Sequence, residues 1–109
     1  MFEYLRDCFL ESTGIDLNEM YLVTKIKAEC FTNPWSARGV TIYPYELIKE
    51  NWMEIEDDLY KIAYSIYYEE IDNYKIINYS NYTMLTVTYE SDDTVSNCMI
   101  QEIYEFVKK

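Results

Sequence analysis

Histidine is absent from this 109-residue chain. Without an imidazole there is no Ser-His-Asp triad, no Cys-His dyad, no imidazole general base and no His-bearing zinc site. Glycine is nearly as scarce: Gly14 and Gly39 are the two in the chain, too few to build a phosphate-cradling loop. Cations are few as well. Nine Lys and Arg face twenty Asp and Glu, which gives a formal charge of −11 and opposes direct nucleic-acid binding. No stretch approaches the roughly 18 apolar residues of a membrane span. The opening segment carries Glu3, Asp7 and Glu11, which does not suit a secretory signal. Cys8, Cys30 and Cys98 are odd in number and far apart, so reduced thiols in a cytoplasmic protein fit better than a disulfide framework. Neither a metal nor another cofactor is expected.

What is present supports one folded domain over residues 1–109. Half the residues are apolar and 17% are aromatic, enough for a core. Thirteen Tyr beside two Arg match the residue usage of an AT-rich genome. Such coding also raises lysine, yet the chain has only seven, so the acidity is a feature in its own right.

Phe2, Leu5 and Phe9 fall at helical spacing, and Gly14 stands where a helix should stop. From Met20 to Glu29 the period becomes two, with Met20, Leu22, Thr24, Ile26 and Ala28 on one face of a predicted strand. Residues 32–39 punctuate as a loop, and Val40–Tyr43 reads as a short extended piece before Pro44. A long helical pattern follows to Ile71, with a break expected near Asn51. Tyr74–Tyr79 and Tyr82–Glu90, joined by Ser80-Asn81, form a hairpin pattern. Asp92 or Asp93 then caps a predicted closing helix with the stripe Val95, Met99, Ile103 and Phe106. The expected fold is α+β: a small antiparallel sheet, strand plus hairpin, packed with about three helices.

Charge is concentrated in the middle. Residues 46–72 hold nine acids against Lys49 and Lys61, seven of the eleven excess negative charges. Glu46, Glu50, Glu54 and Asp58 step by four, so they line one helical stripe, with Asp57 beside it. Like charges at that spacing repel by a few tenths of a kcal/mol per pair, and a helix selected for stability alone more often alternates signs. Neighbouring positions on the stripe lie about 5–6 Å apart, close to the phosphate spacing of a nucleic-acid strand. A solvated face that aids solubility is the plain alternative.

Tyr64, Tyr67 and Tyr68 abut Glu69 and Glu70, while Tyr79, Tyr82 and Tyr89 gather on the hairpin. Tyrosine is favoured at interfaces, and acid beside tyrosine suits an arginine-rich partner through ion pairing and cation–π contact. Core packing with hydroxyls at the rim is the plain alternative here. The best enzymatic pattern is Glu54-x-x-Asp57 with Glu69-x-x-Asp72, carboxylates that Mg²⁺ accepts. It resembles slightly the helix-borne motifs of all-helical nucleotide pyrophosphohydrolases. The ExxE half of that motif is missing, and the hairpin does not suit an all-helical fold.

The whole-chain composition, the acidic run Glu46–Asp72 and the sequence Tyr67-Tyr68-Glu69-Glu70 resemble small phage or mobile-element anti-defence proteins, the anti-CRISPR and anti-restriction inhibitors. Those proteins share no single fold, and the resemblance transfers no residue role. It implies a non-enzymatic inhibitor of a basic nucleic-acid-handling effector; the acidic stripe and the tyrosine-acid run, read from the residues themselves, make Glu46, Glu50, Glu54, Asp57, Asp58, Tyr67, Tyr68, Glu69 and Glu70 the candidate partner surface. An immunity protein or antitoxin against a nuclease toxin is the second reading. A carboxylate-metal nucleotide hydrolase is the third, and a structural protein whose charge serves only solubility is the fourth.

Overall fold

The computed structural model describes residues 2–32, 35–71, 73–90 and 98–109, with side chains over 6–28, 40–71, 73–89 and 99–109. Its elements run α1 (Phe2–Thr13), β1 (Met20–Thr32), β2 (Trp35–Pro44), α2 (Tyr45–Glu50), α3 (Trp52–Tyr67), β3 (Tyr74–Asn78), β4 (Tyr82–Glu90) and β5 (Cys98–Lys108). The fold is α+β, a five-stranded antiparallel sheet in the order β2-β1-β5-β4-β3 with three helices.

α1 ends as its sequence dictates. Gly14 takes φ +76°, a conformation costly for a side-chain-bearing residue, and its N–H donates to the Leu10 carbonyl at 2.7 Å. The Thr13 hydroxyl donates to the Phe9 carbonyl at 2.6 Å and accepts from the Ile15 N–H at 3.2 Å, so the turn out of the helix is fully bonded. Between α2 and α3 the break falls at Asn51. Its backbone N–H and its Nδ2 both donate to the Leu47 carbonyl, at 3.0 and 2.9 Å, doubling the bonds on one acceptor where the helix kinks. The Ser80-Asn81 turn joins β3 and β4 as the hairpin pattern requires, with Asn78 opposite Thr83 and the Tyr79 N–H on the Tyr82 carbonyl at 2.8 Å.

Three sequence expectations are overturned. The closing helix is a strand: β5 lies at the centre of the sheet between β1 and β4, and Glu102, Tyr104 and Phe106 alternate inward at period two. Met99 and Ile103 stay half-buried on the opposite side. β5 pairs along its whole length with β1 and over Met99–Val107 with β4, which outweighs a helical stripe of four residues. The expected Asp92 or Asp93 cap lies outside the described residues. Second, much of the expected loop over residues 32–39 is strand, because β1 runs to Thr32 and β2 starts at Trp35, so the sheet has five strands instead of three. Third, β1 does not keep one face throughout. Its register to β5 slips between Leu22 and Thr24, so Leu22 and Lys25 both face the core while Ile26 turns to the other side.

The helices cover one face of the sheet. Phe9, Ile48, Ile55 and Leu59 meet Leu85, Tyr104 and Phe106 there, each at most 2% exposed. Phe9 and Phe106 stack at a tilt with centroids 6.1 Å apart.

The slip puts a lysine into this layer. Lys25 Nζ lies 3.1 Å from Asp58 Oδ2 on α3 and 5.5 Å from the ring centres of both Tyr43 and Tyr104. Deeper in the sheet, Tyr104 and Tyr89 donate to the two oxygens of buried Glu102 at 2.7 and 2.9 Å. Burial, followed by the Glu102 charge, pushes the Tyr104 hydroxyl far up. Each of these polar groups has a partner in the set, whereas Arg6 Nε, Glu56 Oε2 and the Tyr60 hydroxyl are buried without a hydrogen bond among the described residues.

Candidate functional site

The acidic stripe spans α2 and α3, and its members have different fates. Glu46, Glu50, Glu54 and Asp57 are exposed. Glu46 pairs with Lys49 at 3.6 Å and Asp57 with Lys61 at 3.2 Å, both on the surface, where such pairs are worth little. The Asp57 carboxylate beside Lys61 raises that ammonium's pKa. Glu50 and Glu54 have no cationic partner among the described residues. Asp58 pairs with buried Lys25 at 3.1 Å while its own side chain stays 37% exposed, so its charge is partly neutralised within the fold. Glu56, between them in sequence, is buried, with Oε2 4.0 Å from Arg6 Nη2 on α1. Burial and the adjacent Glu56 charge push the Tyr60 hydroxyl up to about 12. What remains on the surface is a ridge of Glu46, Glu50, Glu54 and Asp57, with its two cations at the ends.

The second group lies at the C-terminal end of α3. Tyr67 and Tyr68 are exposed, with ring centres 5.0 Å apart and nearly perpendicular, and Tyr64 packs on Tyr68 at 4.5 Å. The chain leaves the helix through a Schellman turn. The Glu70 N–H bonds the Ser65 carbonyl at 2.8 Å, and the Glu69 N–H bonds that of Ile66 at 3.1 Å. The left-handed position of that turn, usually glycine, is held by Glu69 at φ +58°. A side chain there costs roughly 1 kcal/mol. Glu69 and Glu70 are both exposed.

The structure therefore separates two patches, the ridge along α2 and α3 and the tyrosine-acid end of α3. On the hairpin, Tyr79 and Tyr82 stack at 4.5 Å, while Tyr89 turns inward to Glu102, so those three do not form one surface cluster. Sequence reasoning missed the contribution of α1. Cys8, Glu11 and Ser12 sit on one helical face and join Tyr60, Tyr64, Tyr67 and Tyr68 around a cleft of ≈470 Å³. Their i, i+3, i+4 spacing was readable, but the pairing of α1 with α3 was not.

For the metal reading, Asp72 lies outside the described residues, and Glu54 and Asp57 stand at the surface with Asp57 on Lys61. Among the described residues no three carboxylate or thiol groups gather where a metal ion could be held. Cys8 carries a free thiol; the side chains of Cys30 and Cys98 lie outside those described. No helix among the described residues is long and apolar enough to cross a membrane.

No protein-family model matches the sequence, and no curated protein or solved structure matches the chain. Function must be argued from the surface itself.

Proposed function

We propose that this protein is a non-enzymatic inhibitor, carried by a phage or other mobile element, that acts in the cytoplasm of a bacterial host. It binds a basic nucleic-acid-handling defence effector, such as a CRISPR nuclease, and blocks the effector's nucleic-acid-binding surface with its acidic helices. One observation carries the reading: Glu46 and Glu50 on α2 and Glu54 and Asp57 on α3 stand exposed on either side of the break at Asn51, and Glu50 and Glu54 have no cationic partner among the described residues. A row of carboxylates at helical spacing offers a cationic groove the same electrostatic reward as a phosphate strand, without any sequence requirement. The helices are anchored on the sheet through Ile48, Ile55 and Leu59, so the row is presented on a rigid support.

The test is interference in living cells. In bacteria whose nuclease defence destroys a targeted plasmid, wild-type protein should restore plasmid uptake. The variant Glu46→Gln, Glu50→Gln, Glu54→Gln, Asp57→Asn should not. Asp58 is left intact so that the fold is preserved. Equal protection by the variant would remove the ridge from the mechanism. Protection against a nuclease toxin alone would assign the same surface to an immunity protein.

A further inference from the structure

The cleft between α1 and α3 has the composition of a cation receptor. Its walls are tyrosines 60, 64, 67 and 68, with Glu11 at the α1 side. Among the described residues no lysine or arginine lines it. Glu11 is exposed and has no cationic partner among the described residues. The rings of Tyr64, Tyr67 and Tyr68 hold each other at 4.5 and 5.0 Å in tilted and perpendicular pairs, so their faces are set before any ligand arrives. At ≈470 Å³ the cleft lies within the range of small-ligand sites. A second cleft has the opposite character. It measures ≈350 Å³ and is lined by Arg6, Lys49 and Lys109 beside Tyr21, Tyr45 and Trp52. Among the described residues three cations stand around this second cleft and none lines the tyrosine cleft, although the Arg6 charge reaches the Tyr60 hydroxyl on its wall.

We propose that the tyrosine cleft binds an arginine side chain presented by the partner protein. A guanidinium stacks on aromatic faces and places a planar fork of N–H donors against a carboxylate, here Glu11, which an ammonium cannot match. The long-range field of a chain with charge −11 favours a cation at this site. Glu69 and Glu70 follow directly on the tyrosine wall and add negative charge at the end of α3. The identity of the occupant as a partner's arginine rests on the inhibitor reading. The guanidinium specificity of the cleft does not.

The probe is Nα-acetyl-arginine methylamide, titrated into the full-length protein and followed by backbone and tyrosine-ring NMR. The neutral isostere, Nα-acetyl-citrulline methylamide, is the control. Saturable shifts at Glu11, Tyr64, Tyr67 and Tyr68 are expected with arginine, and binding at least tenfold weaker with citrulline. Glu11→Gln and Tyr67→Leu should each weaken arginine binding by roughly fivefold, the scale of one exposed cation–π or ion-pair contact. Glu11 is exposed and unpaired among the described residues, so Glu11→Gln should leave the melting temperature unmoved, while Tyr67→Leu gives up the Tyr68 ring contact and should lower it by only a few degrees. Equal binding of the two probes, shifts that follow Glu50 and Glu54 without saturating, or full binding by both variants would overturn the proposal. Failure of the arginine response while plasmid protection persists removes this cleft and leaves the ridge. An arginine response without protection supports the cleft and removes the inhibitor reading.

Discussion

Asp58 separates the acids that hold this fold from those that are free. Changing it to Asn keeps the shape and removes the charge facing Lys25. The Lys25 side chain is 7% exposed, and its ammonium has Asp58 at 3.1 Å as its one carboxylate partner among the described residues. Leaving a buried charge without its partner costs about 3–5 kcal/mol. Asp58 itself is 37% exposed, so water screens part of that interaction. The rings of Tyr43 and Tyr104 at 5.5 Å retain some favourable contact with the ammonium. The net expectation for Asp58→Asn is a loss of about 2 kcal/mol, near 8 °C in melting temperature for a domain of this size. Urea unfolding followed by circular dichroism measures it. The double variant Lys25→Met, Asp58→Leu removes both charges and should return to within about 1 kcal/mol of wild type. A single variant within 0.5 kcal/mol of wild type, or a double variant as unstable as the single, would refute the buried pair.

Other residues give independent checks. Gly14→Ala forces a β-carbon into φ +76° and should destabilise by about 1 kcal/mol, whereas Glu69→Gly relieves φ +58° and should stabilise by a similar amount in the same urea assay. If Glu69 serves the partner surface, that stabilised variant should also lose protection in cells. Partial burial and the Glu56 charge push the Tyr60 hydroxyl up to about 12 from an ordinary 10. A raised folded value means stability present in full below pH 10 and lost as pH rises through 10 toward 12. Thermal melts of Tyr60→Phe should show a shallower alkaline decline than wild type, and an unchanged slope would contradict the buried environment. Phe106→Ala, in the central strand and against Phe9, should cost about 3–5 kcal/mol.

The parts of the fold legible in the sequence are those set by local chemistry. Gly14 as a helix stop, the Ser80-Asn81 turn and the break at Asn51 each depend on neighbours a few residues away. β5 was not legible in that way. Met99, Ile103 and Phe106 satisfy a helical spacing, while Ile100, Glu102, Tyr104 and Phe106 satisfy a strand spacing, and only the pairing with β1 and β4 decides between them. The β-branched and aromatic content of Ile103-Tyr104-Glu105-Phe106-Val107 was the signal that favoured the strand. Lysine is almost never fully buried without a partner, so the inward turn of Lys25 follows only from the register slip and from a carboxylate 33 residues away. The same distance dependence governs the site. Counting in fours selects Glu46, Glu50, Glu54 and Asp58, but the break at Asn51 interrupts that count and the pairing of Asp58 with Lys25 depends on tertiary packing. Tyr67 and Tyr68 were singled out beside their acids, but the α1 wall that makes them a cleft required the tertiary packing.

The most direct measurement of the central claim is a competition on a purified CRISPR nuclease carrying fluorescently labelled nucleic acid. Wild-type protein should release the label stoichiometrically, with an apparent affinity that falls steeply as salt rises from 50 to 300 mM. The variant neutral at Glu46, Glu50, Glu54 and Asp57 should release little of it. Release by that variant equal to wild type, or binding to the nuclease that leaves its nucleic acid in place, would contradict the account.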